Sequence, residues 1–123
     1  MSMNSSDGND GWVQMLPGVQ RRIVADGEKL MLLEIHLAQG SEVPRHQHLH
    51  EQTSTVHTGK LRFVFDDEQV DLEPGQAAFM AANRPHKVIA RADTIAFDAF
   101  SPPREDFRGS TLNSGIYGGA AQK

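Results

Sequence analysis

Apolar and polar residues alternate along most of this chain with a period of two. The clearest run spans residues 30–38, where Met31, Leu33, Ile35 and Leu37 fall on one side and Leu32, Glu34 and His36 on the other. That period belongs to a half-buried strand and not to a helix. It returns in Leu61, Phe63 and Phe65 against Lys60, Arg62 and Val64, and in Ile95 and Phe97 against Ala96, Asp98 and Phe100. Shorter strands are expected at residues 12–15, 20–25, 53–58, 70–73, 77–80 and 86–90. Turn signals separate them at Pro17-Gly18, Asp26-Gly27, Gly40, Gly59, Asp66-Asp67, Pro74-Gly75 and Ala92-Asp93. Nine or ten short strands without a helical pattern predict an antiparallel sandwich or barrel. The turns are too short for the crossovers of a parallel sheet.

One stretch stands outside this pattern: Pro44-Arg45-His46-Gln47-His48-Leu49-His50-Glu51-Gln52. It places three of the chain's six histidines at every second position. In a strand, residues i and i+2 leave the same face, so His46 and His48 can converge on one point. Two neutral imidazoles and an oxygen donor suit a divalent metal. Gln52 can give an amide oxygen and Glu51 a carboxylate, and His86 is the natural further ligand. A solvated histidine-rich loop is the alternative, because the spacing is neither a zinc-finger nor a metalloprotease pattern.

Composition narrows the partners. The chain has 123 residues, which points to one domain, and no cysteine, which excludes disulfides and thiolate metal sites. A net charge of −4 suggests neither nucleic acid nor an anionic membrane as partner. No apolar run is long enough to span a bilayer, and residues 1–10 do not resemble a signal peptide. A cytoplasmic protein is expected. Residues 1–11 read as a disordered head, 12–107 as the barrel, and 108–123 as a flexible or docked tail.

The histidine stretch also resembles the first cupin motif: glycine, five residues, His-x-His, three or four residues, an acid, six residues, glycine. Here these positions are Gly40, His46, His48, Gln52 and Gly59. The second motif centres on Pro74-Gly75 and a late histidine, here His86 after Pro85. The string from His46 to Gln52, together with Phe100-Ser101-Pro102-Pro103-Arg104-Glu105-Asp106-Phe107, is similar to the pectin-degradation cupins of the KdgF type. The resemblance covers residues 16–107. It implies an all-β jelly-roll barrel, the double-stranded β-helix of cupins. It also implies one divalent metal ion (zinc, nickel, manganese or iron) on His46, His48, Gln52 and His86.

The activity implied is the opening of cyclic 4,5-unsaturated uronates, released by pectate or alginate lyases, to linear keto sugars. Asp98, Phe100 and Arg104 are the implied catalytic residues, with Asp98 as acid or base and Arg104 on the substrate carboxylate. A homodimer joined through the outer sheet and residues 12–25 is implied as well. Two other classes stay open: a different metal-dependent cupin enzyme (dioxygenase, isomerase or lyase) acting on a small acid, and a non-catalytic small-molecule-binding cupin.

Some positions depart from the pattern. Gln52 stands where most cupins carry glutamate, Thr55 where a tyrosine is typical, and His57 where a leucine is. By parity from Gln52, the side chains of Thr53, Thr55 and His57 point away from the metal, while Ser54, Val56 and Thr58 share its face. His50 is expected near the pocket rim, and Glu51 in a structural role. Arg62 shares the parity of Gln52 and either reaches the substrate or is a solvated strand residue.

Overall fold

The computed structural model describes residues 11–108. The expectations for a disordered head and a flexible tail fall almost wholly outside them. The strands are β1 (Val13–Leu16), β2 (Val19–Asp26), β3 (Met31–Leu37), β4 (Glu42–His46) and β5 (Glu51–Thr58). They continue as β6 (Leu61–Phe65), β7 (Gln69–Leu72), β8 (Ala77–Met80), β9 (His86–Ala90) and β10 (Thr94–Ser101), followed by one 3-10 turn at Glu105–Phe107. No helix among the described residues is long and apolar enough to cross a membrane.

All pairings are antiparallel. Six strands form one sheet in the order β1-β2-β3-β10-β5-β8, and four form the other in the order β4-β9-β6-β7. The two sheets make the antiparallel all-β barrel that the alternation predicts, with the jelly-roll form that the resemblance implies. Their inner faces carry Met31, Leu33, Ile35 and Leu37 from β3, Leu61, Phe63 and Phe65 from β6, and Val88 and Ala90 from β9, all buried. Burying a large apolar side chain of this kind contributes roughly 1.5–3 kcal/mol each.

Three details differ from the sequence pattern. The strand carrying the histidines stops at His46, so His48 and His50 lie in the connection to β5. Pro44 sits inside β4, which tolerates it as an edge strand whose pairing with β9 shifts between Val43 and His46. On β5 the pairing with β10 shifts between Ile95 and Ala96, which skips His57. Thr58 is therefore exposed instead of sharing the inner face.

After β10 the chain crosses back over one end of the barrel. Ser101 Oγ donates to the Lys29 carbonyl at 2.7 Å, and Phe107 is buried. Arg108 Nε donates to Asp26 Oδ2 at 2.8 Å, which ties this segment to the end of β2.

Candidate metal centre

Histidine spacing alone does not assemble the site. His46 and His86 are direct cross-strand partners at the β4–β9 edge, with ring centroids 4.4 Å apart. His48 reaches them from the loop, 5.5 Å from the His46 ring and 5.2 Å from that of His86. The Asn83 backbone N–H donates to the His48 carbonyl at 2.7 Å, and this bond fixes the loop against the segment that leads into His86. One ring nitrogen from each of the three histidines lies within 4.8 Å of the others.

Each imidazole is oriented by a backbone carbonyl. Nδ1 of His46 bonds the Pro44 carbonyl at 2.8 Å, that of His48 the His50 carbonyl at 3.1 Å, and that of His86 the Arg84 carbonyl at 2.8 Å. A carbonyl only accepts, so Nδ1 carries the hydrogen and Nε2 the lone pair in all three. Burial holds the rings neutral. It lowers the His46 pKa to about 3, helped by the neighbouring His86, and the His48 pKa to about 4, helped by Arg104. The His86 pKa is lowered by the same burial.

The second sheet supplies the opposite wall. Gln52 pairs with Phe100, and Ser54 with Asp98, across the β5–β10 ladder. Gln52 Oε1 lies 3.0 Å from His48 Nε2. Both atoms are acceptors, so two lone pairs face each other. Protonation of His48 would relieve this, but its low pKa prevents that near neutrality. His86 Nε2 is buried and has no hydrogen-bond partner. A divalent cation answers all these lone pairs, and the donor set of three neutral imidazoles and one amide oxygen fits zinc, nickel, manganese or iron.

Asp98 faces the same space. Gln52 Nε2 donates to its Oδ2 at 3.2 Å. Its surface is not fully closed to solvent, yet burial in the wall raises its pKa to about 6, against the pull of the Ser54 hydrogen bond and the Arg104 charge. Phe100 is buried with its ring edge-on to His48 at 5.6 Å. Arg104 is 1% exposed, its guanidinium 5.0 Å from the Phe100 ring and 4.1 Å from that of Phe107. Asp106 accepts from its Nε and Nη2 at 3.2 and 3.0 Å, while the buried Nη1 has no partner. The water-accessible space inside is about 40 Å³, with His46, His86, Gln52 and Asp98 on its polar side and Leu33 and Phe63 on its apolar side. That holds an ion and a small group but not a sugar ring.

Of the two readings left open for Arg62 the structure gives the solvated strand residue, and it brings in others that the pattern passed over. Arg62 lies on the outer face and donates to Asp71 Oδ1 at 2.8 Å, so it is not turned to the pocket. Thr53 and His57 are exposed and Thr55 half-buried on the outer side of β5, so these departures leave the inner wall untouched. His50 is buried, its ring 5.5 Å from that of His48, and Glu51 is exposed. Ser54, fully buried between Gln52 and Asp98, and Asp106, beside Arg104, received no role from the sequence. Parity placed Ser54 on the inner face, but only the β5–β10 register sets it opposite Asp98.

Residues 33–100 match the family model for the cupin domain. The chain belongs to the cupin family. This cupin is 30% identical over 103 residues to the pectin degradation protein KdgF of Dickeya dadantii (strain 3937), covering 82% of this chain and 94% of that one. The solved structure of KdgF from Halomonas sp. superposes with a TM-score of 0.74 at 33% identity, covering 77% and 88% of the two chains. An RmlC-like cupin from Shewanella frigidimarina gives a TM-score of 0.77 at 29% identity, covering 86% and 96%.

Proposed function

We propose that this cupin is a metal-dependent enzyme that opens cyclic 4,5-unsaturated uronates to linear keto sugars. One observation carries the reading. Asp98 and Gln52, hydrogen-bonded to each other, line one cavity with His46 and His86, where His46, His48 and His86 bring one ring nitrogen each together, in a chain that aligns with KdgF over most of its length. His46, His48, His86 and Gln52 would hold the ion, which when bound acts as a Lewis acid on substrate oxygens.

The remaining chemistry is a proton's journey. Loss of the proton from the anomeric hydroxyl lets the C1–O5 bond break, leaving an aldehyde at C1. The electron pair passes to O5 as the enolate of C5 and C4. A proton delivered to C4 completes the ketone at C5. Asp98 can take the first proton and return it at C4, so the isomerisation needs no co-reactant. The Arg104 Nη1 donor supports a role in binding the substrate carboxylate, and Phe100 one as a wall for the ring. The small interior supports binding of the ring at the barrel mouth, with one polar edge turned inward.

A homodimer in the cytoplasm belongs to the same proposal. Half-buried Leu32, Ile95 and Phe97 on the outer face of the six-stranded sheet, with exposed Phe79 nearby, support a subunit contact there.

The test is loss of the double-bond ultraviolet absorbance of lyase-generated unsaturated galacturonate. Metal-loaded protein should accelerate it. Asp98→Asn should slow it about 100-fold or more with metal content unchanged. No acceleration by the loaded wild type would overturn the reaction, and full activity in the variant would remove Asp98 from it.

A further inference from the structure

The amide of Gln52 has two orientations of nearly equal shape, and only one turns oxygen toward the histidines. With the other, its NH2 group would donate to His48 Nε2 and occupy the lone pair a metal needs. The surroundings choose between them. Gln52 Nε2 donates to Ser54 Oγ at 2.9 Å and to Asp98 Oδ2 at 3.2 Å, so both amide hydrogens are used. A hydroxyl by itself cannot choose, because it donates as readily as it accepts. The Asp98 carboxylate, which only accepts, makes the choice by receiving one amide hydrogen. Ser54 Oγ receives the other and holds the amide there. Ser54 is fully buried, so no water takes its place. The β5–β10 register holds the triangle, with Ser54 directly opposite Asp98 and Gln52 two residues along the same face.

We propose that Ser54 is a positioning residue that, with Asp98, locks the Gln52 amide so that Oε1 faces the metal. The lock also explains how glutamine serves at this position. A glutamate there would bring a second acceptor against Asp98 and Ser54, where the structure supplies a donor. Ser54 touches no substrate in this scheme and acts only through Gln52. The inference rests on the metal reading of the site and is separable from it by experiment.

The experiment is a cobalt(II) titration of metal-free protein, followed by its d–d absorption. Wild type should bind one equivalent. Ser54→Ala should bind about 10-fold more weakly, with a changed d–d spectrum. Ser54→Thr, which restores the hydroxyl, should recover both affinity and spectrum. Equal affinity and spectrum in Ser54→Ala would overturn the lock while leaving the metal site standing. No cobalt binding by wild type would overturn both. A second measurement needs no variant: in the metal-free wild type, the Gln52 side-chain NH2 should exchange slowly with solvent hydrogen. Fast exchange would overturn the lock even if Ser54→Ala failed to fold.

Discussion

Asp98 sits where its own charge works against the fold. Its folded pKa of about 6 exceeds the unfolded value of about 4. Below pH 4 both states hold the proton, and the group has no effect. As pH rises through 6 the folded state must ionise a carboxyl it prefers neutral, and stability is lost. An asparagine side chain at this position carries no charge and still accepts from Gln52. Metal-free Asp98→Asn should therefore be more stable than wild type at pH 7.5, by about 1–3 kcal/mol, and equal to it near pH 4. Chemical denaturation at the two pH values checks this, and a variant less stable at pH 7.5 would contradict it. Sequence alone put Asp98 on the face it shares with Phe100. It did not show the raised pKa, which comes from neighbours on other strands.

At the scale of elements, the site depends on where strands stop and how they register. Gly59 joins β5 to β6 with a φ of +98°, and a Cβ there would collide with the Asp93 carbonyl oxygen and with Thr94 Oγ1. The carbonyl belongs to the backbone at the start of β10, so it does not move aside cheaply. Thr94 Oγ1 also accepts from the Lys60 N–H at 3.0 Å and so fastens that turn to β10. Gly59→Ala should cost roughly 2–4 kcal/mol, through both left-handed strain and the clash. A urea midpoint within error of wild type would refute this. The glycine was legible in the motif, but the approach of β10 was not. The histidines show the same division. Their spacing suggested convergence within a strand, whereas β4 ends at His46 and His48 is turned in by a loop.

For the whole molecule, the histidine cluster sets the response to acid. Unfolded histidine titrates near 6.5, while folded His46 and His48 titrate near 3 and 4, depressed first by burial. Between these values the unfolded chain binds more protons, so stability falls as pH falls below about 6.5. By pH 5 each of the two contributes a loss of about 2 kcal/mol. Asp98, whose shift has the opposite sign, returns about 1 kcal/mol over the same range. The metal-free protein should melt progressively lower from pH 7 to pH 5, as followed by circular dichroism. A melting temperature that rises with acid would refute the balance.

The sequence by itself determined most of the strands, the inner faces of the clearly alternating ones and the residue types able to hold a metal, because alternation and turn chemistry are local properties of the chain. It also carried the family resemblance, since motif spacing is written in one dimension. Only the tertiary structure decided that His46 pairs with His86, that Ser54 lies opposite Asp98, and that Arg62 turns to Asp71 outside the barrel. Those facts depend on register between strands distant in sequence, where one bulge shifts every side chain beyond it to another face. Parity carried along a single strand cannot see such a shift. The protonation of Asp98 and the histidines was settled at the same level, because desolvation is a property of the packed barrel and not of any residue in it.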